Sequence, residues 1–287
     1  MVEVSSDVIN KIIKIVKDGG GEVFEQKGYI NFCGVRNNMT DDSFNDSLYI
    51  YWKDDIDGTF KCVKTDAFTT KPGKTVILNE NGKTNSKGAA IVKEGWHKNC
   101  WYIGVHNPES DKNKHLALRQ DVGVTDPITI TRDKTQFGNI GKYELRIFSD
   151  TTEVGYPYTN MHRSGDSQGN NVNGWSAGCQ VFQYISDFDE MMELAKKADG
   201  KGQKKFSYYL TNKNIFDGTI VDGENIYVSY EYNQTQYVNE DQKYTNNVPN
   251  LGGSGLNGTS TPIVNGNSGD YNVGASSPFS FGGETIF

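Results

Sequence analysis

The stretch LYIYWKDDIDGTFKCV, residues 48–63, contains two short runs of apolar and aromatic residues on either side of a polar segment. Residues 48–52 and 60–63 have the aromatic and β-branched character that suits pleated, half-buried strands. Asp57-Gly58 between them is a turn signal, because glycine accepts the positive φ that tight turns require. The stretch therefore predicts two strands joined by a turn.

Strand-like runs with a period of two residues extend on both sides of this stretch, from residue 29 to about residue 150. Further turn signals stand at Pro72-Gly73, Asn81-Gly82 and Gly138-Asn139. Many short strands with little helix between them favour a sandwich or barrel built from antiparallel sheets. We therefore expect a mostly β (α+β) fold, a β-sandwich with a few peripheral helices. The other strand-like runs are residues 29–35, 75–78, 101–106, 128–131, 143–148, 206–210 and 219–232.

Two segments have the apolar spacing of amphipathic helices instead. The first helix is predicted at residues 5–18, where Ser5 or Ser6 can act as the N-cap and Gly19 ends the helix. Residues 187–198 follow Ser186 as a cap and stop before Gly200. The apolar stripe of the first helix must be covered, so we expect that helix to pack on the β domain.

The charge balance and the hydropathy pattern exclude several classes of protein. The formal net charge is −7, whereas a nucleic-acid binder needs a basic stripe to displace counterions from phosphates. No stretch approaches the roughly 20 apolar residues of a membrane span. The first residues, MVEVSSD, lack the basic and then apolar segments of a signal peptide. We expect no nucleic-acid partner and no membrane span.

The cysteines show no metal-binding or redox pattern. Cys33, Cys62, Cys100 and Cys179 are far apart and form no CxxC pair, which argues against a zinc ribbon or a thioredoxin-type site. Cys33 and Cys62 lie inside apolar runs, where a buried free thiol is the commoner occupant, with disulfides as the alternative. No His, Cys or carboxylate set has ligand spacing, so we expect no metal and no cofactor.

The end of the chain differs in composition from the rest. Apolar periodicity stops near residue 233, and the segment from 247 is rich in Gly, Asn, Ser and Thr. Such a segment cannot bury enough apolar surface to offset its ordering entropy. We divide the chain into an N-terminal helix and linker (1–27), a β domain (28–232) and a tail (233–287). The aromatic end of the tail, SPFSFGG (277–283), is either an undirected terminus or a docking peptide for a larger assembly.

One histidine and one cysteine form a candidate catalytic pair. Histidine occurs only at positions 97, 106, 115 and 162, so general bases are few. His162 precedes a loop of small and polar residues that leads to Ser176-Ala177-Gly178-Cys179. Glycine beside the thiol lets the backbone approach a substrate and direct N–H groups at it. A nearby imidazole would take the thiol proton and stabilise the thiolate. The alternative is a cysteine that serves as a small core residue.

This pattern resembles the signature of the L,D-transpeptidase (YkuD-like) family, in which a histidine is followed, after a loop, by Ser/Thr-His-Gly-Cys. Residues 48–63 and the sequence TTKPG, residues 69–73, are similar to that family's opening hairpin and its Thr-Pro-Gly-type loop. Residues 34–37, 160–163 and 175–182 resemble a branch of the family from bacteriophages and gut bacteria. The resemblance covers roughly residues 28–212.

The resemblance implies a role for each matched residue. Cys179 would attack a peptide carbonyl, and His162 would be its general base. The backbone carbonyl of Arg163 would orient the imidazole, and the N–H groups of Gly178 and Cys179 would form the oxyanion site. Ser176 would shape the loop. The substrate contacts would be Trp175, Ala177, Gln180 and Asn160.

The implied substrate is the stem peptide of peptidoglycan, which would form a thioester with the enzyme. An amine acceptor then gives a cross-link, and water gives carboxypeptidase or endopeptidase action. A virion or lysis setting would account together for the absence of a signal peptide, for a wall-directed site and for a tail suited to docking.

Two positions depart from the family pattern. Ala177 stands where the family has histidine, and Val181 stands where a polar residue is usual. A non-catalytic structural or binding protein that retains the fold is therefore the alternative. A papain-like peptidase is disfavoured because its cysteine precedes its histidine. Trp175 is either a core aromatic or a wall of the cleft, and His106 and His115 are expected to be exposed.

Overall fold

The computed structural model describes residues 1–39, 41–80, 84–111, 113–135, 147–165 and 169–218. Within these ranges the chain forms twelve strands and four helices. The strands are β1 Val2–Glu3, β2 Ile30–Arg36, β3 Asp46–Lys53, β4 Phe60–Thr69, β5 Ala89–Val92, β6 Gly95–His106, β7 His115–Arg119, β8 Ile128–Asp133, β9 Glu153–Gly155, β10 Met161–Arg163, β11 Gln180–Phe182 and β12 Phe206–Asn212. The helices are α1 Ser6–Asp18, α2 Lys74–Ile77, α3 Ile185–Gly200 and α4 Lys213–Asp217.

A nine-stranded mixed sheet dominates the fold, in the order β1-β4-β11-β10-β7-β6-β12-β2-β3. Because β3 pairs with β4 as well as with β2, the strands from β4 to β3 in this order form a closed ring of hydrogen-bonded neighbours. Two pairs are parallel, β10 with β11 and β2 with β12. The expectation of antiparallel sheets is wrong for these pairs, since residue alternation does not encode strand direction. A parallel pair needs a crossover connection, and residues 164–179 provide one between β10 and β11.

A second, antiparallel sheet contains β5, β8 and β9 in the order β5-β8-β9. Both sheets and α3 contribute to one hydrophobic core. Val92 and Ile130 come from the small sheet, Trp101 and Leu118 from the large one, and Met191 from α3. The prediction of a mostly β, α+β fold with a few short helices is confirmed.

The N-terminal helix packs on the large sheet. Ile9, Ile12 and Val16 of α1 lie in a second core cluster with Cys33 and Tyr51. The strand β1 precedes this helix and pairs with β4, so the N-terminal segment also contributes to the sheet. The predicted helix at 5–18 is confirmed, with Ser5 at the N-cap position. Burying the apolar stripe supplies the main stabilisation of such a short helix.

The thiols are buried and free where the apolar runs predicted them. Cys33, Cys62 and Cys100 are each exposed by 3 % or less, and none is in a disulfide. The expectation of buried free thiols at Cys33 and Cys62 is confirmed. Cys179 is also free but only half-buried, which distinguishes it from the other three.

Several element boundaries differ from the predictions. The run 75–78 forms the short helix α2 and not a strand, because periodicity cannot separate helix from strand in four apolar residues. The helix predicted at 187–198 begins earlier, at Ile185, with Tyr184 and not Ser186 as its N-cap. Strands β1, β5, β7, β9 and β10 are not among the predicted strands, and each has five residues or fewer.

Five predicted features fall mainly or wholly outside the described residues. They are the turns at Asn81-Gly82 and Gly138-Asn139, the strand at 143–148, except for residues 147 and 148, the strand at 219–232, and the tail at 233–287. Phe148 forms an isolated bridge with Asp133 at the end of β8. None of the helices in the described ranges has the length and hydropathy needed to cross a membrane.

Candidate active site

Two neighbouring parallel strands carry the candidate catalytic pair. In the pairing of β10 with β11, His162 lies opposite Val181. Cys179 immediately precedes β11, and the Gln180 N–H donates to the carbonyl oxygen of Asn160 at 2.8 Å. Side chains two residues apart in an extended segment point to the same face. Cys179 therefore shares with Val181 the face of the sheet on which His162 lies.

The turn before the thiol depends on a glycine that no other residue can replace without strain. Gly178 has φ +120°, and a Cβ at this position would lie 2.4 Å from the carbonyl oxygen of Ala90 in β5. Both the backbone angle and the lack of space require glycine here. Strand β5 of the small sheet thus limits how closely the loop before Cys179 can pack against the core.

A serine hydroxyl holds the same turn together. Ser176 is fully buried, and its Oγ donates to the carbonyl oxygen of Cys179 at 2.8 Å. The same Oγ accepts a hydrogen bond from the N–H of Gly178 at 3.2 Å. Ser176 therefore holds the turn between residues 176 and 179 in shape.

The loop after β4 supports the nucleophile loop from the other side. The N–H of Gly73 donates to the carbonyl oxygen of Ser176 at 2.9 Å. A Cβ on Gly73 would lie 2.0 Å from the carbonyl oxygen of Asn173, so the two loops pack backbone to backbone. The carboxylate of Asp42 accepts from the N–H groups of Lys74 and Asn173, at 2.8 and 3.0 Å, and ties both loops together.

The thiol itself lies in a mostly apolar setting. Cys179 packs beside Trp175 and a small cluster of Phe44, Val172 and Val181. Its S–H donates to the carbonyl oxygen of Tyr158 at 3.6 Å. Desolvation raises the pKa of the Cys179 thiol to about 11, although a backbone hydrogen bond from Asn160 works in the opposite direction. At neutral pH the resting residue is therefore a thiol and not a thiolate.

The imidazole of His162 is buried and held at one nitrogen. Its Nδ1 lies 2.8 Å from the carbonyl oxygen of Arg163, the contact that the resemblance implied. Since a carbonyl only accepts, Nδ1 carries the proton and Nε2 carries the lone pair. Burial lowers the pKa of His162 to about 4, with the Arg163 carbonyl raising it and the neighbouring His115 lowering it further. The ring is therefore neutral at pH 7.

Two other histidines are packed around His162, contrary to the expectation that both would be exposed. The His106 and His162 rings are stacked, with centroids 4.2 Å apart and planes 16° apart. His115 is half-buried, and its ring centroid is 6.2 Å from that of His162. His106 and His115 are cross-strand partners in the β6–β7 hairpin. The pairing of β7 with β10 brings them to His162, and sequence spacing cannot reveal that non-local pairing.

The four residues implied as substrate contacts have different environments. Ala177 is exposed and Trp175 is half-buried, with the Trp175 indole lying over Gly165. Asn160 is buried, and its Oδ1 accepts from the N–H of Gln120. Gln180 is fully buried, accepts a hydrogen bond from the Tyr208 hydroxyl at 3.1 Å and donates to the Gly178 carbonyl. A side chain in that position supports the loop and cannot touch a ligand without rearrangement.

The candidate oxyanion donors also differ from each other. The N–H of Gly178 is already bonded to Ser176, so it does not point at a substrate in this conformation. The N–H of Cys179 donates to no group in the part of the chain that the structure describes. Of the two N–H groups named from the sequence, that of Cys179 is the one available to a substrate oxygen.

Tyr158 is a neighbour of the thiol that the sequence did not reveal. It has φ +58°, which is rare for a bulky residue, and its side chain is half exposed. Its N–H donates to the Gln120 side chain at 3.0 Å, and its carbonyl oxygen accepts from Cys179. A positive φ at a non-glycine residue leaves no signal in the sequence.

No metal cluster accompanies this site in the described ranges, where no group of three His, Cys, Asp or Glu side chains is arranged to hold an ion. Comparison with known proteins found no matching protein-family model, no matching curated protein and no matching solved structure.

Proposed function

We propose that the chain is a cysteine-dependent acyltransferase or peptidase that acts on the stem peptides of peptidoglycan. The observation that carries the proposal is the position of His162. Its Nδ1 is held by the Arg163 carbonyl at 2.8 Å, and its strand is hydrogen-bonded to the strand that Cys179 precedes. The substrate class rests on the sequence resemblance, and the chemistry rests on this arrangement.

The proposed reaction begins from a neutral thiol and a neutral imidazole. His162 Nε2 takes the S–H proton as the Cys179 sulfur attacks the carbonyl carbon of a stem-peptide amide. The Cys179 N–H donates to the oxygen that becomes negative. The C–N bond then breaks, the imidazolium returns its proton to the leaving amine, and a thioester remains on Cys179.

The second half of the reaction depends on the acceptor. An amine that attacks the thioester yields a new amide and thus a cross-link or an exchanged residue. Water yields a free carboxylate, which is carboxypeptidase or endopeptidase action. In both cases His162 takes a proton from the attacking group and returns it to the Cys179 sulfur.

The surface around the thiol suits a peptide substrate. Ala177 and Tyr158 are exposed, and Trp175 is half-buried beside the sulfur. An aromatic side chain at the edge of such a site offers a flat apolar wall for the peptide. Ala177, two residues before the half-buried Cys179, is exposed and carries only a methyl group.

We also propose that the fold is a β-sandwich and that the protein works at the bacterial cell wall. The two sheets form the layers of a sandwich, which is supported by the core that Val92 and Ile130 share with Trp101 and Leu118. The protein works at the bacterial cell wall in a virion or lysis context, and residues 233–287 dock it into a larger assembly. The composition of the tail supports this role for it.

The test is a digest of peptidoglycan that contains tetrapeptide stems, followed by mass spectrometry. We expect wild-type protein to release or exchange the terminal D-amino acid, and Cys179→Ala to abolish that turnover. Cys62→Ala is the matched control, because Cys62 is a buried free thiol in the other core cluster. Equal turnover by wild type and Cys179→Ala would overturn the mechanism.

A non-catalytic structural or binding protein is the second candidate, and two observations favour it. The pKa of Cys179 is raised to about 11 by desolvation, and the N–H of Gly178 is already bonded within the loop. Thiol alkylation separates the two candidates. In an enzyme, Cys179 reacts faster than Cys33, Cys62 and Cys100, and His162→Ala removes that advantage. In a binding protein, His162→Ala leaves the relative rates unchanged.

A further inference from the structure

The stacked pair of His106 and His162 is a contact that the proposed reaction does not use. The ring planes lie 16° apart with centroids at 4.2 Å, so one face of the His162 imidazole is covered by a second flat ring. The His162 ring is also held by the hydrogen bond from Nδ1 to the Arg163 carbonyl, and the tilted His115 ring lies farther away, with its centroid at 6.2 Å. One hydrogen bond permits the ring to tilt about that bond, whereas a stacked neighbour fixes the plane.

His106 is connected to the nucleophile through Asn160. The Nδ2 of Asn160 lies 3.4 Å from Nδ1 of His106. The backbone of the same residue is tied to the Cys179 region twice. Its carbonyl accepts from the Gln180 N–H, and its N–H donates to the Tyr158 carbonyl, which also accepts from the Cys179 S–H. His106, Asn160 and Cys179 are therefore linked by successive contacts that do not pass through His162.

The His106 ring occupies its place beside His162 although one of its nitrogens is unsatisfied. His106 is 6 % exposed, and its Nε2 is buried with no hydrogen-bond partner in the described part of the chain. A buried nitrogen without a partner costs free energy. The cost falls on the nitrogen and not on the ring face, so a phenylalanine ring of similar size could make the same stack on His162.

We propose, on the premise of the proposed function, that His106 is a positioning residue, whose stacked ring holds the His162 imidazole in the plane from which Nε2 reaches the Cys179 thiol. His106 lies near the end of the long strand β6, which is paired with β7 and β12 over most of its length. This framework makes the ring a rigid support. His106 acts through His162 and takes no proton itself.

The charges around the cluster are consistent with a neutral supporting ring. Burial lowers the pKa of His106 to about 2, with His162, His115 and Arg119 lowering it further. Arg163 on β10 also faces the cluster, and Asp189 on α3 is the acidic group that acts on His115. A neutral His106 ring adds no positive charge beside the imidazolium that forms on His162 during the reaction.

The test measures the alkylation rate of Cys179 from pH 6 to 10 in the full chain. Wild type should show a component at neutral pH that depends on His162 and is absent in His162→Ala. His106→Leu, which removes the flat ring, should lower that component about ten-fold while leaving the rate at pH 10 unchanged. His106→Phe keeps a flat ring and should stay within about two-fold of wild type.

His97→Leu is the matched control. His97 is a buried histidine on the same strand, but it stacks on Tyr208 and not on His162. It should leave the neutral component unchanged. Unfolding would raise the reactivity of Cys33, Cys62 and Cys100 as well, so their rates report whether each variant is folded.

The outcomes separate the inference from the proposed function. If His162→Ala leaves the neutral component unchanged, the proposed catalytic pair fails. If His162→Ala removes the component but a folded His106→Leu keeps it, the pair stands and the role of His106 is overturned. Equal loss in His106→Phe and His106→Leu would also overturn the role of the stacked ring.

Discussion

Gly178 lies so close to Ala90 that a Cβ at position 178 would be 2.4 Å from the Ala90 carbonyl oxygen. The contact joins the loop before the candidate nucleophile to β5 of the small sheet. It means that the position of Cys179 depends on a strand almost 90 residues earlier in the chain. A side chain at position 178 would therefore displace the turn and with it Cys179.

Gly178→Ala should destabilise the protein and lower the reactivity of Cys179. The added carbon meets backbone and not a flexible side chain, and φ +120° is strained for any residue other than glycine. We expect a loss of about 2–4 kcal/mol in the free energy of unfolding. Urea denaturation measures it. Gly174→Ala is the control, since an added Cβ there meets nothing within 4 Å; similar losses in both variants would contradict the assignment.

Ser176→Ala should loosen the same turn by removing both hydrogen bonds of its hydroxyl. The Gly178 N–H and the Cys179 carbonyl would then lose their recorded partner, at a cost of about 1–3 kcal/mol. Chemical denaturation checks the stability. Ser47→Ala removes a hydroxyl that bonds the exposed Asp66, and should cost under about 0.5 kcal/mol. A Ser176→Ala variant as stable as Ser47→Ala would argue against the structural role of this hydroxyl.

Acid should destabilise the fold through its buried histidines. Burial lowers the pKa of His97 and His162 to about 4 and that of His106 to about 2. In the unfolded chain these groups have a pKa of about 6.5. Between pH 6.5 and about 4 the unfolded state therefore binds more protons, so the free energy of unfolding falls as the pH is lowered through this range.

Urea midpoints at pH 7.5, 6 and 5 measure this effect. His97→Gln keeps a side chain able to bond the Lys93 carbonyl but does not titrate, so its midpoint should change less with pH than that of wild type. Equal midpoints at pH 7.5 and 5 in wild type would mean that the histidines are not held neutral in the folded protein.

Much of the fold follows from local patterns in the sequence. The strands predicted at residues 48–52 and 60–63 are confirmed by β3 and β4, because aromatic and β-branched residues suit a pleated surface. The apolar stripe of residues 5–18 is confirmed by α1 for the corresponding reason in a helix. Short elements were less predictable. The four residues of α2 and the three residues of β10 are too few to show a period.

Some features of the candidate site can likewise be read from the sequence, and others cannot. His162 and Cys179 could be selected as candidates from the sequence, because histidine is scarce and a thiol beside glycine suits a nucleophile. Both reasons depend only on residue type and position in the chain. The hydrogen bond from His162 to the Arg163 carbonyl joins adjacent residues, and the family resemblance implies that contact. These features depend on atoms that are close along the chain.

The environment of His162 and Cys179 depends on contacts between strands that are distant in the sequence. Stacking of His106 on His162, burial of Gln180 against Tyr208 and contact of Gly178 with Ala90 all join residues that are far apart in the chain. They depend on which strands pair and in which direction, and alternation along one strand does not specify its partner. Residue type along the chain sets which side chains can act as nucleophile or base, and non-local strand pairing sets which of them are buried, stacked or open to a substrate.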